Sequence, residues 1–87
     1  MNQLPLDAQV EALLFFKGEP VTIKNMAELL EVSTQEIEIA LNSLEQNLMN
    51  RGLTLVHEEQ MVMLGTSASA SSLIEKIVKE EIVKDLG

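Results

Sequence analysis

The side chains of this 87-residue sequence form no recognisable arrangement for catalysis or metal binding. His57 is the only histidine, and Glu58 and Glu59 are its nearest carboxylate neighbours. Because adjacent residues of a strand point to opposite faces, Glu58 diverges from His57 and only Glu59 can share its side. Two groups make a weak site, since general-base catalysis and metal binding need further partners. We therefore predict that the protein is not an enzyme and has no cofactor or metal. An enzyme that uses His57 is the lesser alternative.

Other patterns that support catalysis or phosphate binding are missing from the sequence. There is no cysteine, which excludes disulfides and thiolate zinc sites and fits a reducing cytoplasm. The serines at 67, 69, 71 and 72 have no convincing base nearby, and the four glycines are isolated, so no Gly-rich phosphate loop is present. No apolar run approaches the ~20 residues that span a bilayer. These absences predict a cytoplasmic protein without a membrane partner.

The charge balance argues against nucleic-acid binding. Six Lys and Arg face fourteen Asp and Glu, for a net charge of −8, and there is no Trp or Tyr. A strongly negative chain is repelled by phosphate backbones. Single-stranded nucleic acid is commonly held on aromatic stacking platforms, and only Phe15 and Phe16 are available here.

Helical and strand periodicities divide the chain into six elements. Thr22 is a suitable N-cap, and Ser33 with Glu36 forms a capping box, as Ser72 with Glu75 could do again. Helices are predicted at 5–17, 23–30, 34–50 and 72–86, and strands at 53–58 and 61–64. The very short turn between the second and third helices predicts a helix-turn-helix. The fold class is therefore α+β, mostly α: a winged helix-turn-helix with three helices, a two-stranded wing hairpin and a C-terminal helix. Residues 1–87 form a single domain.

A DNA-binding transcription regulator is the main alternative function, because the third helix of a helix-turn-helix enters the major groove. That helix has no Lys or Arg before Arg51, and it presents carboxylates such as Glu36 and Glu38. The wing tip is Glu58-Glu59-Gln60. Both elements carry the wrong charge for phosphate contacts, so no direct DNA binding is predicted through helix three.

The apolar side chains exceed what one small core needs, which predicts a protein-binding or self-associating surface. Phe15 and Phe16 lie about 100° apart on the first helix, so one ring is expected to enter the core and the other to lie at its edge. The wing strand is apolar on both faces, and the last helix is broadly apolar. The candidate protein-interaction residues are Phe15, Phe16, Met61, Met63, Ile82 and Val83.

Several segments resemble bacterial segregation and condensation protein B. The resemblance rests on the run from Glu11 through Phe15-Phe16 to Gly18-Glu19-Pro20 and on the segment Ala27 to Ser33. It continues through Glu36-Ile37 to the segment Arg51 to Val56, and it covers most of residues 6–65.

This resemblance implies an accessory subunit of the bacterial condensin complex, which acts in chromosome condensation and segregation and in cell division. Members of the family have two winged-helix domains, form homodimers and bind the kleisin subunit. The kleisin connects them to the structural-maintenance-of-chromosomes ATPase. The family's first domain is associated with self-association, and the second with much of the kleisin binding. The sequence stops after the last helix, where the family continues into its second winged helix, so it is predicted to be the N-terminal domain of a longer two-domain protein.

Overall fold

The computed structural model describes residues 4–86, with side chains for residues 4–82. The chain forms four α-helices, three β-strands and one short 3-10 turn at Ala68–Ala70. In order, these are α1 (Leu6–Lys17), β1 (Val21–Thr22), α2 (Ile23–Leu30), α3 (Thr34–Asn47), β2 (Leu53–Glu58), β3 (Met61–Thr66) and α4 (Ser71–Leu86). The predicted winged helix-turn-helix class is confirmed.

Short polar side chains begin the two helices of the helix-turn-helix as the sequence predicts. Thr22 Oγ1 accepts a hydrogen bond from the Asn25 amide at 3.0 Å, at the start of α2. Ser33 Oγ accepts one from the Glu36 amide at 3.1 Å, at the start of α3. Each bond satisfies an amide that the first helical turn leaves unpaired.

Three predicted helix boundaries and one strand boundary are wrong. α1 begins at Leu6 and not at residue 5, and β3 continues to Thr66 and not only to residue 64. α3 ends at Asn47 and not at residue 50. The Met49 amide bonds to the Gln46 carbonyl, three residues back and not four, and Asn50 then adopts a left-handed backbone conformation with φ of 61°. α4 begins at Ser71, directly after the 3-10 turn, so Ser72 lies inside the helix and is not its N-cap. The Ser71 hydroxyl donates to the Ala68 carbonyl at 2.7 Å, which ties the helix to the turn.

The sheet has three antiparallel strands in the order β1-β3-β2, one more than the predicted hairpin. β2 and β3 form the wing and turn at Glu59, whose φ is 52°. β1 is only two residues long and pairs Val21 with Val62 of β3. This pairing places the start of α2 against the wing and makes β3 the central strand, with β1 and β2 at the two edges.

The core lies where α1, α2 and α3 meet one face of the sheet. Leu14, Met26 and Ile37, one from each helix, have at most 1% of their surface exposed. The buried core residues are Val10, Leu14, Val21, Met26, Ala27, Ile37, Ala40, Leu41, Leu44, Leu55 and Val62. Within the described side chains, none of these core residues belongs to α4.

α4 extends from the body and packs mainly on the 3-10 turn before it. The molecule is correspondingly elongated, with extents of 52 × 29 × 23 Å. None of the helices in the described part of the chain combines the length and hydropathy needed to cross a bilayer.

Candidate protein-interaction surfaces

Two phenylalanines project from the outward side of α1. Val10 and Leu14 are buried, whereas Phe15 and Phe16 are 76% and 85% exposed. Each residue advances about 100° around a helix, so the two rings turn successively away from the direction of Leu14. The prediction that one ring enters the core is therefore wrong. Exposed aromatic side chains are strong anchors for a protein partner.

The apolar side chains of α4 are exposed as well. Their exposed fractions run from 38% at Ile74 to 58% at Leu73. The residues concerned are Leu73, Ile74, Ile77, Val78 and Ile82. Spacings of three and four residues put them on one broad side of the helix. The predicted site residue Ile82 belongs to this stripe, whereas the side chain of Val83 lies outside the described residues.

The wing methionines are less exposed than the phenylalanines. Val62 is buried in the core, whereas Met61 and Met63 point to the other face of β3 and are half-buried. Met63 lies opposite Val56 of β2, which is 37% exposed. A contact between these methionines and a partner stays a prediction.

An apolar groove connects α1 with α4 along the start of the wing. One cavity of about 410 Å³ lies between Ala12, Phe15 and the wing residues Leu53 and Leu64. A second cavity, of about 430 Å³, shares Leu53 and reaches the first turn of α4. We call the combined region the α1–α4 surface. It comprises Phe15, Phe16, Leu53, Leu64, Leu73, Ile74, Ile77, Val78 and Ile82.

The outward side of α3 is acidic. Glu36, Glu38 and Glu45 are all exposed, and the helix contains no Lys or Arg. The tip of the wing adds Glu58 and Glu59. A DNA-binding winged helix needs cations at both places to neutralise phosphates, so this arrangement repels a duplex.

His57 has a partner that the sequence did not suggest. Its Nε2 lies 3.3 Å from Glu45 Oε1 of α3, and both side chains are about half exposed. The predicted neighbours Glu58 and Glu59 make no contact with it among the described hydrogen bonds and ion pairs. Glu45 is twelve positions away, so only the packing of the wing beside α3 brings the two together. The described residues contain no cluster of three or more His, Asp or Glu that could hold a metal.

A second polar cluster joins α1 to α3. Asp7 Oδ2 accepts hydrogen bonds from Ser43 Oγ and Asn47 Nδ2, each at 3.1 Å. Its Oδ1 accepts from the Ala8 amide at 2.9 Å. Ser43 and Asn47 are four residues apart and so lie on the same side of α3, and this spacing was the only sign in the sequence that they could contact one shared group.

Known proteins are similar to this sequence across nearly the whole chain. Residues 8–87 match the family described as segregation and condensation complex subunit ScpB. The chain is 33% identical over 82 residues to segregation and condensation protein B of Caldanaerobacter subterraneus, covering 92% of this chain and 49% of that protein. It is 31% identical over 80 residues to the Clostridium tetani protein of the same name, covering 90% and 42%. The chain thus spans about half the length of the curated relatives it matches.

Two solved structures share the fold. One is a dimer of the ScpB N-terminal domain complexed with a ScpA peptide, with a TM-score of 0.77 and 32% identity; the match covers 84% of this chain and 94% of that one. The other is ScpB from Mycobacterium tuberculosis, with a TM-score of 0.81 and 23% identity over 93% of this chain and 54% of that one. The second likeness supports the fold alone.

Proposed function

Because the chain belongs to the ScpB family of segregation and condensation complex subunits, we propose that it acts as a non-catalytic accessory subunit of a bacterial condensin. In this role it forms a homodimer and binds the kleisin, which links it to the structural-maintenance-of-chromosomes ATPase on the chromosome in the cytoplasm. The main support for this proposal is the similarity of the chain to a ScpB N-terminal domain whose structure is a dimer complexed with a ScpA peptide.

The α1–α4 surface is the proposed dimer interface. A covered Phe side chain buries about 150–250 Å², and α4 adds five partly exposed aliphatic side chains. Together they approach the roughly 800 Å² per partner that a standard interface buries. In a two-fold dimer each copy presents the same patch, so this mainly apolar surface, which Glu11 and Arg51 border, meets a matching surface.

Self-association is tested by sedimentation equilibrium of the complete chain across about 1–100 µM, where weak interfaces dissociate. We expect a monomer–dimer equilibrium. Phe15→Ser and Ile77→Ser should each raise the dissociation constant about tenfold or more, because both side chains lose apolar contact. Ile39→Ser is the matched control: this isoleucine is 69% exposed but lies on α3, outside the surface. A chain that is strictly monomeric at the highest concentration would contradict the proposed interface.

Kleisin binding is tested separately, by calorimetric titration of the chain with a peptide of ScpA, which we take to be the kleisin of this complex. We expect the titration to saturate at a fixed number of peptides for each protein dimer. If the peptide produces no heat and no change in sedimentation, this chain does not bind the kleisin. The proposed self-association would be unaffected by that result. The two results therefore distinguish the two halves of the proposal.

A further inference from the structure

A separate groove lies between the start of α1 and the outward side of α3. Its volume is about 290 Å³. The lining residues are Leu6, Asp7, Glu36, Ile39, Ala40 and Ser43. Leu6 and Ala40 pack on or within the core and form an apolar floor, while Ile39 stands 69% exposed at the rim. The groove shares no residue with the α1–α4 surface.

Each of the two helices contributes a carboxylate to this groove. Asp7 of α1 is held in place by Ser43 and Asn47 at 3.1 Å. A carboxylate offers about four acceptor positions, so these contacts and the Ala8 amide leave capacity for a cation. Glu36 of α3 is exposed beside the same opening, and no Lys or Arg lines it. The groove is therefore apolar at its floor and negative at its walls.

We propose that this groove binds a cationic amphipathic helix of a partner protein. An apolar side chain of that helix inserts between Leu6 and Ile39, and Lys or Arg residues on either side of it contact Asp7 and Glu36. Charge complementarity selects this occupant. A nucleic acid is repelled by the carboxylates, and a second copy of the chain carries a net charge of −8. The inference does not depend on dimerisation, because the two surfaces are distinct.

The test uses the complete chain and a synthetic helical peptide of leucine, alanine and lysine, with leucines spaced at three and four residues. A peptide with glutamate in place of every lysine is the control. Amide chemical shifts of the isotopically labelled protein report the location, and the titration gives the affinity. Shifts are expected at Leu6, Ile39, Ala40 and Ser43 with the lysine peptide only.

Variants separate specific binding from general attraction to an acidic protein. Ile39→Ser should weaken binding about tenfold. Glu36→Gln should weaken it by a smaller factor, whereas Glu19→Gln, the same charge change at an exposed site outside the groove, should leave it unchanged. Phe16→Ser should also leave it unchanged.

Four results of the peptide titrations would overturn the proposal. These are equal weakening by Glu36→Gln and Glu19→Gln, shifts spread over the acidic surface, shifts centred on the α1–α4 surface, or full affinity in Ile39→Ser. A raised dimer dissociation constant in Ile39→Ser would also overturn it, because a second copy would then be the occupant of the groove.

Discussion

At the scale of single residues, neighbouring apolar side chains of α1 differ sharply in solvent exposure. Leu14 is 1% exposed and packs in the core, while Phe16, two positions later, is 85% exposed. Hydrophobicity alone does not distinguish them, since phenylalanine is at least as apolar as leucine. The direction of each side chain around the helix decides which one stabilises the fold and which one is available to a partner.

Replacement of these two side chains by alanine should therefore have very different costs. Leu14→Ala should lower the free energy of unfolding by about 2–5 kcal/mol, through lost burial and a residual cavity. Phe16→Ala should change it by no more than about 0.5 kcal/mol. Urea denaturation at low protein concentration, where dimerisation contributes nothing, measures both. A large loss in Phe16→Ala would place this ring in the monomer's core.

The turn after α1 provides a second residue-scale prediction. Gly18 has a φ of 65° and its amide donates to the Leu14 carbonyl, as a left-handed helix end requires. No heavy atom lies within 4 Å of an added Cβ, so the cost of alanine is conformational.

Gly18→Ala should destabilise the domain by about 1 kcal/mol, the penalty for a left-handed L-residue. Gly52→Ala is the matched control, because Gly52 also has open space and lacks a positive φ. It should leave stability unchanged or raise it by less than about 1 kcal/mol. Equal thermal denaturation midpoints for the two variants would contradict the conformational account.

At the scale of elements, the sequence predicted those helix bounds and N-caps that depend on residues close together in the chain. α2 has the predicted bounds, and the caps Thr22 and Ser33 form as expected, because each depends on residues three positions apart. β1 was missed because two residues carry no strand periodicity; its partner Val62 lies far along the chain. The contact between His57 and Glu45 was also missed, because the two residues are twelve positions apart and meet only when the wing packs beside α3.

The packing of α4 could not be predicted from its apolar pattern. The sequence shows a stripe that needs a partner, but not whether that partner is the same core or another molecule. The candidate residues Phe15, Phe16 and Ile82 are exposed in the structure. Their role in binding a partner is a prediction for the sedimentation experiment.

The two predicted capping boxes give an element-scale test. Ser33→Ala removes the acceptor for the Glu36 amide and should cost about 1 kcal/mol. Ser72→Ala lies inside α4, where alanine is the better helix former, and should cost nothing. Chemical denaturation of both variants measures the difference. A similar loss in Ser72→Ala would indicate that Ser72 begins the helix after all.

At the scale of the whole molecule, apolar surface and negative charge act against each other. The core is small and excludes the described part of α4, so the exposed stripe favours association. The net charge of −8 opposes the approach of a second identical chain. The balance between the two terms depends on ionic strength, because salt screens the repulsion and leaves the apolar contact intact.

Dimerisation should therefore strengthen as salt is added. The screening length falls from about 30 Å at 0.01 M to about 8 Å at 0.15 M ionic strength. Across that range the dimer dissociation constant from sedimentation equilibrium should decrease, while a nucleic-acid complex would weaken over the same range through counterion release. Glu19→Gln, which removes one exposed charge outside the α1–α4 surface, should shift the low-salt constant slightly in the same direction. A dissociation constant that increases with salt would mean that ion pairs hold the dimer together, and the apolar α1–α4 surface would then not be its main interface.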